Sequence, residues 1–174
     1  RDSTPMPGWG KPEGKCDPAF RNIRVGFNGG PVLYRFRVEP GGQALVVLGF
    51  CESHWAKPAQ RPLQCRVEGA PWQEVDPVAK WGQHKPGLLV FRARDVSHDG
   101  KLEVDVRAAP GAKDRNSILN AIWLFPPGNS PNVGKVISGE LSAAAIRYVD
   151  VGGPNDQSIY QAGKLEYPVS LTAG

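Results

Sequence analysis

Nine consecutive residues, Gln43 to Cys51 (QALVVLGFC), restrict the folds open to this chain more than any other stretch. Read as a strand, it turns Ala44, Val46, Leu48 and Phe50 to one side and Leu45, Val47 and Cys51 to the other. A strand that is apolar on both faces is covered on both sides, so it belongs at the centre of a layered structure. Glu52 ends the run, and the chain emerges into a polar, proline-bearing loop with His54 and Trp55 side by side. A second strand follows and stops at the Gly69 turn. An aromatic residue on a loop held by a rigid scaffold is the usual arrangement of a binding site.

The flanking segments read as further strands. Ile23 to Phe27 is stopped by Asn28-Gly29-Gly30-Pro31, a sharp turn because glycine tolerates positive φ and proline cannot continue a central strand. Tyr34, Phe36 and Val38 alternate with Arg35, Arg37 and Glu39, which predicts a half-buried strand. Leu88 to Val96 leads to a hairpin turn at Ser97 to Gly100, and Lys101 to Ala108 alternates cleanly, with one wet face. Ile118 to Phe125 is again apolar on both faces apart from Asn120. With 21 Gly and 17 Pro in 174 residues, long helices are scarce, while 40% apolar content is enough for a core. An all-β antiparallel sandwich is predicted, with an extended arm over 1–20, the sandwich over 21–126 and a C-terminal extension over 127–174. That extension is expected to cover the second apolar face; it offers one strand, Ala145 to Val151, and Ser142 to Ala145 reads equally as the start of a short helix.

The net charge of +4 comes from 21 basic and 17 acidic residues. The basic residues are scattered without a run of four, which argues against nucleic acid or an anionic membrane as the main partner. No apolar stretch approaches the roughly 20 residues that span a bilayer, so no membrane insertion is expected. A chain beginning at Arg1 fits a processed secreted product or an excised domain alike. Cys16, Cys51 and Cys65 are odd in number and match no zinc spacing. Cys51 and Cys65 either bridge neighbouring strands or are separate core residues. Asp95, Asp99 and Asp114 are the available oxygen ligands but form no compact D-x-D series, so no metal and no cofactor is expected.

The order of these pieces resembles the malectin-like domains, which are carbohydrate-binding β-sandwiches. The resemblance rests on Val25-Gly26-Phe27-Asn28-Gly29-Gly30, on Tyr34-x-Phe36-x-Val38-x-Pro40-Gly41, and on the run Leu45 to Glu52 with its closing Phe-x-Glu. Arg61 to Gly69, Gly100-Lys101-Leu102-x-Val104 and Ser117 to Ile122 complete it, so that it covers about Ile23 to Phe125. It implies a jelly-roll sandwich related to the galactose-binding domains, with a glycan site in loops at one end. His54 and Trp55 stand where the family places an aromatic pair, and Asp114, with Arg115 as the alternative register, stands near a ligand-binding aspartate. Between Gly30 and Tyr34 only Pro31-Val32-Leu33 remain of a long insertion that carries sugar-contacting tyrosines in malectin itself. The diglucose specificity of malectin is therefore not implied.

The residue types suit sugar recognition. An indole offers a flat apolar platform for a pyranose ring, and Asp, Asn, His and Arg bond its hydroxyls. His54 with Trp55 and Trp81 with His84 supply both kinds of group on two loops, joined by Asp114, Arg115 and the turn residue Asn28. Trp123 reads as core, Trp9 as the residue pinning the arm, and Trp72 chiefly as cover for the core. Glu52, Glu74, Asp76 and Asp114 offer no defined pair for glycoside hydrolysis, and neither G-x-S-x-G nor H-E-x-x-H is present. The expectation is a non-enzymatic, extracytoplasmic (secreted or cell-surface) module that binds an oligo- or polysaccharide. The alternatives are a structural or interaction domain facing other parts of a larger protein, and a glycan hydrolase or lyase.

Overall fold

The computed structural model describes residues 3–153 and Asp156, together with the backbone of two strands beyond them. The strands are β1 (Thr4–Met6), β2 (Ile23–Gly26), β3 (Val32–Val38), β4 (Gln43–Phe50), β5 (Leu63–Val67), β6 (Gln73–Val75), β7 (Gly87–Arg94), β8 (Lys101–Ala108), β9 (Ser117–Leu119), β10 (Ala121–Phe125), β11 (Arg147–Asp150), β12 (Ile159–Gln161) and β13 (Lys164–Leu171). They form a four-stranded sheet in the order β11-β10-β4-β7, a six-stranded sheet in the order β12-β13-β3-β8-β5-β6, and a small sheet β1-β2-β9. Pairing is antiparallel except where β13 runs parallel to β3, an extension of the sheet that the sequence patterning did not predict. Among the described residues no helix is long and apolar enough to cross a membrane.

The two faces of β4 divide as its alternation predicts. Ala44, Val46, Leu48 and Phe50 enter the core between the large sheets, against Tyr34, Phe36, Leu102 and Val104 of the six-stranded sheet. Leu45, Val47 and Cys51 enter a second cluster on the outer side. Cover for that side comes from both ends of the described chain. Ala19 and Phe20 of the arm pack there beside Val136, Ile137 and Leu141. Trp123 of β10 is fully buried among them, with its indole N–H on the Ser142 hydroxyl at 2.9 Å. Gly49 makes room for that ring, since a Cβ there would lie 2.8 Å from Trp123 Cζ3. A short 3-10 turn occupies Ser142–Ala144, and the strand after it is shorter than the expected Ala145 to Val151.

The apolar run Ile118 to Phe125 is two strands rather than one. β9 pairs with β2 in the small sheet, β10 pairs with β4 in the large one, and Asn120 stands at the step between them. Fully buried, its side chain accepts the Cys51 N–H at 2.8 Å and donates to the carbonyls of Phe20 (3.1 Å) and Asn22 (2.9 Å). The step brings the small sheet, and with it the site described below, to one end of the sandwich.

Cys51 and Cys65 lie in different apolar clusters on opposite sides of β4, which rules out a bridge between them; all three cysteines are free thiols. Burial pushes the Cys51 thiol up to about 11, against a smaller opposing effect of its contact with Ser53, and burial pushes Cys65 higher still.

Candidate functional site

A cavity of about 380 Å3 opens at the end of the sandwich where the small sheet meets the central strand. Ile23 and Val25 of β2 and Ile118 of β9, all buried, line its apolar interior. The volume lies within the range of small-molecule sites, and an apolar floor with few polar groups is their usual character. The arm forms one wall. Its Gly10 N–H bonds the Arg21 carbonyl at 3.0 Å and its Lys11 N–H bonds the Ser53 hydroxyl at 2.7 Å. Gly10 has no space for a side chain, because a Cβ would sit 2.1 Å from the Phe20 carbonyl oxygen. The neighbouring Trp9 is thereby held over the cavity with 57% of its surface exposed. Phe27, 37% exposed, lines it as well and belongs to the turn in which Asn28 takes φ 54°.

The polar wall is built from the loop after β4. Glu52, 1% exposed, accepts the backbone N–H of His54 (2.8 Å) and Trp55 (3.1 Å) on one carboxylate oxygen and Arg61 Nη1 (2.7 Å) on the other. Arg61 then reaches Asp114 Oδ2 with Nη2 at 2.7 Å and Nε at 3.2 Å. The same oxygen accepts the Trp55 indole N–H at 2.8 Å, and Oδ1 accepts the Asn116 N–H at 2.9 Å. Burial alone would push the Asp114 carboxyl up. The donors from Trp55, Asn116 and Arg61 outweigh it and hold the group below the usual carboxylate range. A second hollow, about 570 Å3 and shallower, adjoins the first through their shared residues His54, Asp114 and Asn116. It is lined in addition by Asn28, Trp55, Lys113 and Arg115.

Of the seven residues singled out from sequence, five meet here: Asn28, His54, Trp55, Asp114 and Arg115. The rings of His54 and Trp55 meet edge to face at 4.6 Å. Trp81 and His84 are placed elsewhere. Trp81 stacks on Phe50 at 6.2 Å and occupies the space that a side chain at Gly87 would need, so it caps the core, with the Lys80 amine 5.4 Å over its ring. His84, at φ 63°, acts through its backbone: its N–H bonds the Glu52 carbonyl at 2.7 Å and its own carbonyl accepts the Glu13 N–H at 2.8 Å. Trp72 is 42% exposed beside Arg66 and Arg107 at the β6 edge and lines neither hollow. The arm is fixed by strand pairing and by the bonds of Gly10 and Lys11, so the pinning role expected of Trp9 is not the one its exposed ring performs. Trp9 and Phe27 are thus the groove aromatics that sequence reasoning passed over. The signal for Trp9 that went unused is the Gly8-Trp9-Gly10 sequence, an indole between residues without side chains.

Neither carboxylate that lines the cavity is arranged as a proton donor. Glu52 and Asp114 are both ion-paired to Arg61, and Asp114 is shifted down where a general acid is shifted up. A separate acidic group, Glu68, Asp95 and Asp99, brings ligand atoms within 4.8 Å of one another. The buried Asp95 carboxylate there is already engaged by the N–H groups of Gly41 (3.1 Å), Gly100 (2.8 Å) and Asp99 (3.3 Å) and by the Ser97 hydroxyl (3.0 Å).

No protein-family model matches the chain, and no curated protein matches it by sequence. Solved structures do. The ANXUR2 extracellular domain from Arabidopsis thaliana aligns with TM-score 0.56 at 15% identity over 74% of this chain and 42% of its own. A chain of the complex of the plant peptide RALF23 with FER and LLG2 aligns with TM-score 0.56 at 17% identity, over 69% of this chain and 38% of its own. The ANX2 ectodomain from Arabidopsis thaliana aligns with TM-score 0.52 at 18% identity over 62% and 33%. The fold is that of the malectin-like ectodomains of receptor-like kinases, and this chain spans well under half the length of the structures it matches.

Proposed function

We propose that this chain is a non-catalytic carbohydrate-binding module working outside the cytoplasm as an accessory part of a larger protein, and that the ligand lies in the end groove. One observation supports this above the others: two exposed aromatic rings, Trp9 and Phe27, border one cavity beside the hydrogen-bonding side chains of His54, Arg61, Asp114 and Asn116. A pyranose needs this combination, an apolar platform for its C–H face and polar groups at its edge. The extracytoplasmic placement follows the neighbours of this fold, which are ectodomains. A second reading, in which the groove takes a polypeptide, is favoured by the plant complex of this fold that contains a peptide.

A glycan array followed by calorimetric titration tests the proposal. Binding weaker than about 10 μM is expected for so open a site. Trp9→Ala and Phe27→Ala should each weaken it by roughly tenfold, the ~1.4 kcal/mol that loss of one stacked ring removes, without moving the unfolding midpoint. An array with no binder, or variants that bind like the parent, would remove the proposal.

A further inference from the structure

We infer that the groove selects saccharides carrying an anionic group, a carboxylate or a sulfate, over neutral ones; the inference rests on the carbohydrate reading above. It follows from the charged side chains that line the two hollows and from which of them are already paired. Each carboxylate oxygen lining the two hollows already accepts at least one hydrogen bond: those of Glu52 from the N–H groups of His54 and Trp55 and from Arg61, and those of Asp114 from Trp55, Asn116 and Arg61. The Asn116 side-chain oxygen is engaged as well, by the Asn28 N–H at 2.9 Å. Both carboxylates of the site are therefore engaged in holding its shape.

Two of the cations are not. Lys113 and Arg115 line the outer hollow, and their side chains have no hydrogen-bond or ion-pair partner among the described residues. The Arg115 guanidinium lies across Gly29, where a Cβ would be 3.0 Å from Nη2, so the bare glycine at φ 84° is what lets it settle beside Asn28. Including Lys11 and Arg61, four cations line the two hollows against two carboxylates, both of them spoken for by Arg61. A neutral sugar hydroxyl can accept from these cations but brings no charge to match them. A carboxylate or sulfate only accepts, it matches a planar guanidinium in pairs of bonds, and such charge-assisted bonds are about twice as strong as neutral ones. The neutral rings of the same ligand are left to Trp9 and Phe27.

The test uses matched disaccharides, glucosyl-glucose, glucuronyl-glucose and glucosyl-glucose bearing one O-sulfate, titrated into the intact chain at low and at physiological salt. The acidic disaccharides are expected to bind at least tenfold more tightly than the neutral one at low salt, with the ratio shrinking as salt rises. The uronate and sulfate arms distinguish the two anion sources. Arg115→Gln with Lys113→Gln should bring the acidic-to-neutral ratio close to one, whereas Arg115→Lys should keep a salt-dependent preference. Equal affinity for neutral and acidic sugars overturns the inference and leaves the carbohydrate reading standing. Binding of none of the three sinks that reading instead, and this inference with it. A hexaglutamate peptide that binds as tightly as the uronate, with the same dependence on Arg115, shows recognition of charge without sugar and overturns it too.

Discussion

Asn120→Ala will destabilise the fold by on the order of 4 kcal/mol, a large share of the 5–15 kcal/mol that holds a domain of this kind together. The side chain is fully buried and satisfies three backbone groups, the Cys51 N–H and the carbonyls of Phe20 and Asn22. Each buried polar group left without a partner costs about 1–3 kcal/mol. Those groups belong to two pieces of chain, the end of β4 and the lead-in to β2, so their loss loosens the junction between the small sheet and the large one. Asn120→Asp separates the hydrogen bonds from the volume. It keeps the acceptor for Cys51 but sets a carboxylate oxygen against two carbonyls, so burial and the missing donor should raise its pKa. It should be about as damaging as alanine at neutral pH and should recover as the pH falls and the carboxyl regains a proton to donate. Urea unfolding at several pH values reads both effects. A cost below about 1 kcal/mol for the alanine variant, within the range of an ordinary surface change, would show that the junction does not depend on this amide.

Arg61→Met should cost about 3–5 kcal/mol, the range found when one partner of a buried ion pair is removed. Glu52 is 1% exposed and, among the described residues, its second oxygen has only Arg61 for a partner. Without the guanidinium a buried carboxylate is left half paired, and Asp114 loses two of its bonds at the same stroke. Removing the charge together with its partner should recover much of the loss. In the double variant Glu52→Gln with Arg61→Met, the amide oxygen can still accept from His54 and Trp55, so it should be more stable than Arg61→Met alone. The acid side has a definite sign. Asp114 is held below its ordinary value, so its contribution is complete above the unfolded carboxylate pKa and disappears as pH falls through the folded one. The Arg61→Met variant should therefore lose less stability on acidification than the parent. A double variant no more stable than the single one would mean that Glu52 and Arg61 are not coupled.

Much of the architecture could be read from the chain because strand periodicity is local. The alternation in β4 assigned Ala44, Val46, Leu48 and Phe50 to one core and Leu45, Val47 and Cys51 to the other before any partner was known. The sheet switch at Asn120 was not legible, since one polar residue in an apolar run marks a break without saying which strands receive the two halves. The aromatic residues divide for a related reason. Trp55 was placed at the rim by the polar loop it stands on, directly after the recognisable apolar run of β4. Whether Trp81 and Trp9 are covered depends on distant backbone: Gly87 opposite Phe50 leaves a slot that only a ring fills, whereas Gly10 pressed on the Phe20 carbonyl keeps Trp9 outside. The residue that organises the polar wall, Arg61, looked like an ordinary loop cation. Its two partners lie 9 and 53 residues away, and only the folded chain brings them to one guanidinium.

The five tryptophans allow the central claim, that the ligand lies between the arm and the loop after β4, to be tested in one spectrum. With 15N-labelled protein, the indole N–H signals of Trp9, Trp55, Trp72, Trp81 and Trp123 are followed while an oligosaccharide that binds is added. Trp9 and Trp55 should shift together and saturate, and Trp72, Trp81 and Trp123 should stay in place. Shifts confined to Trp72 or Trp81, with Trp9 and Trp55 unmoved at saturation, would put the ligand elsewhere on the molecule and contradict the account.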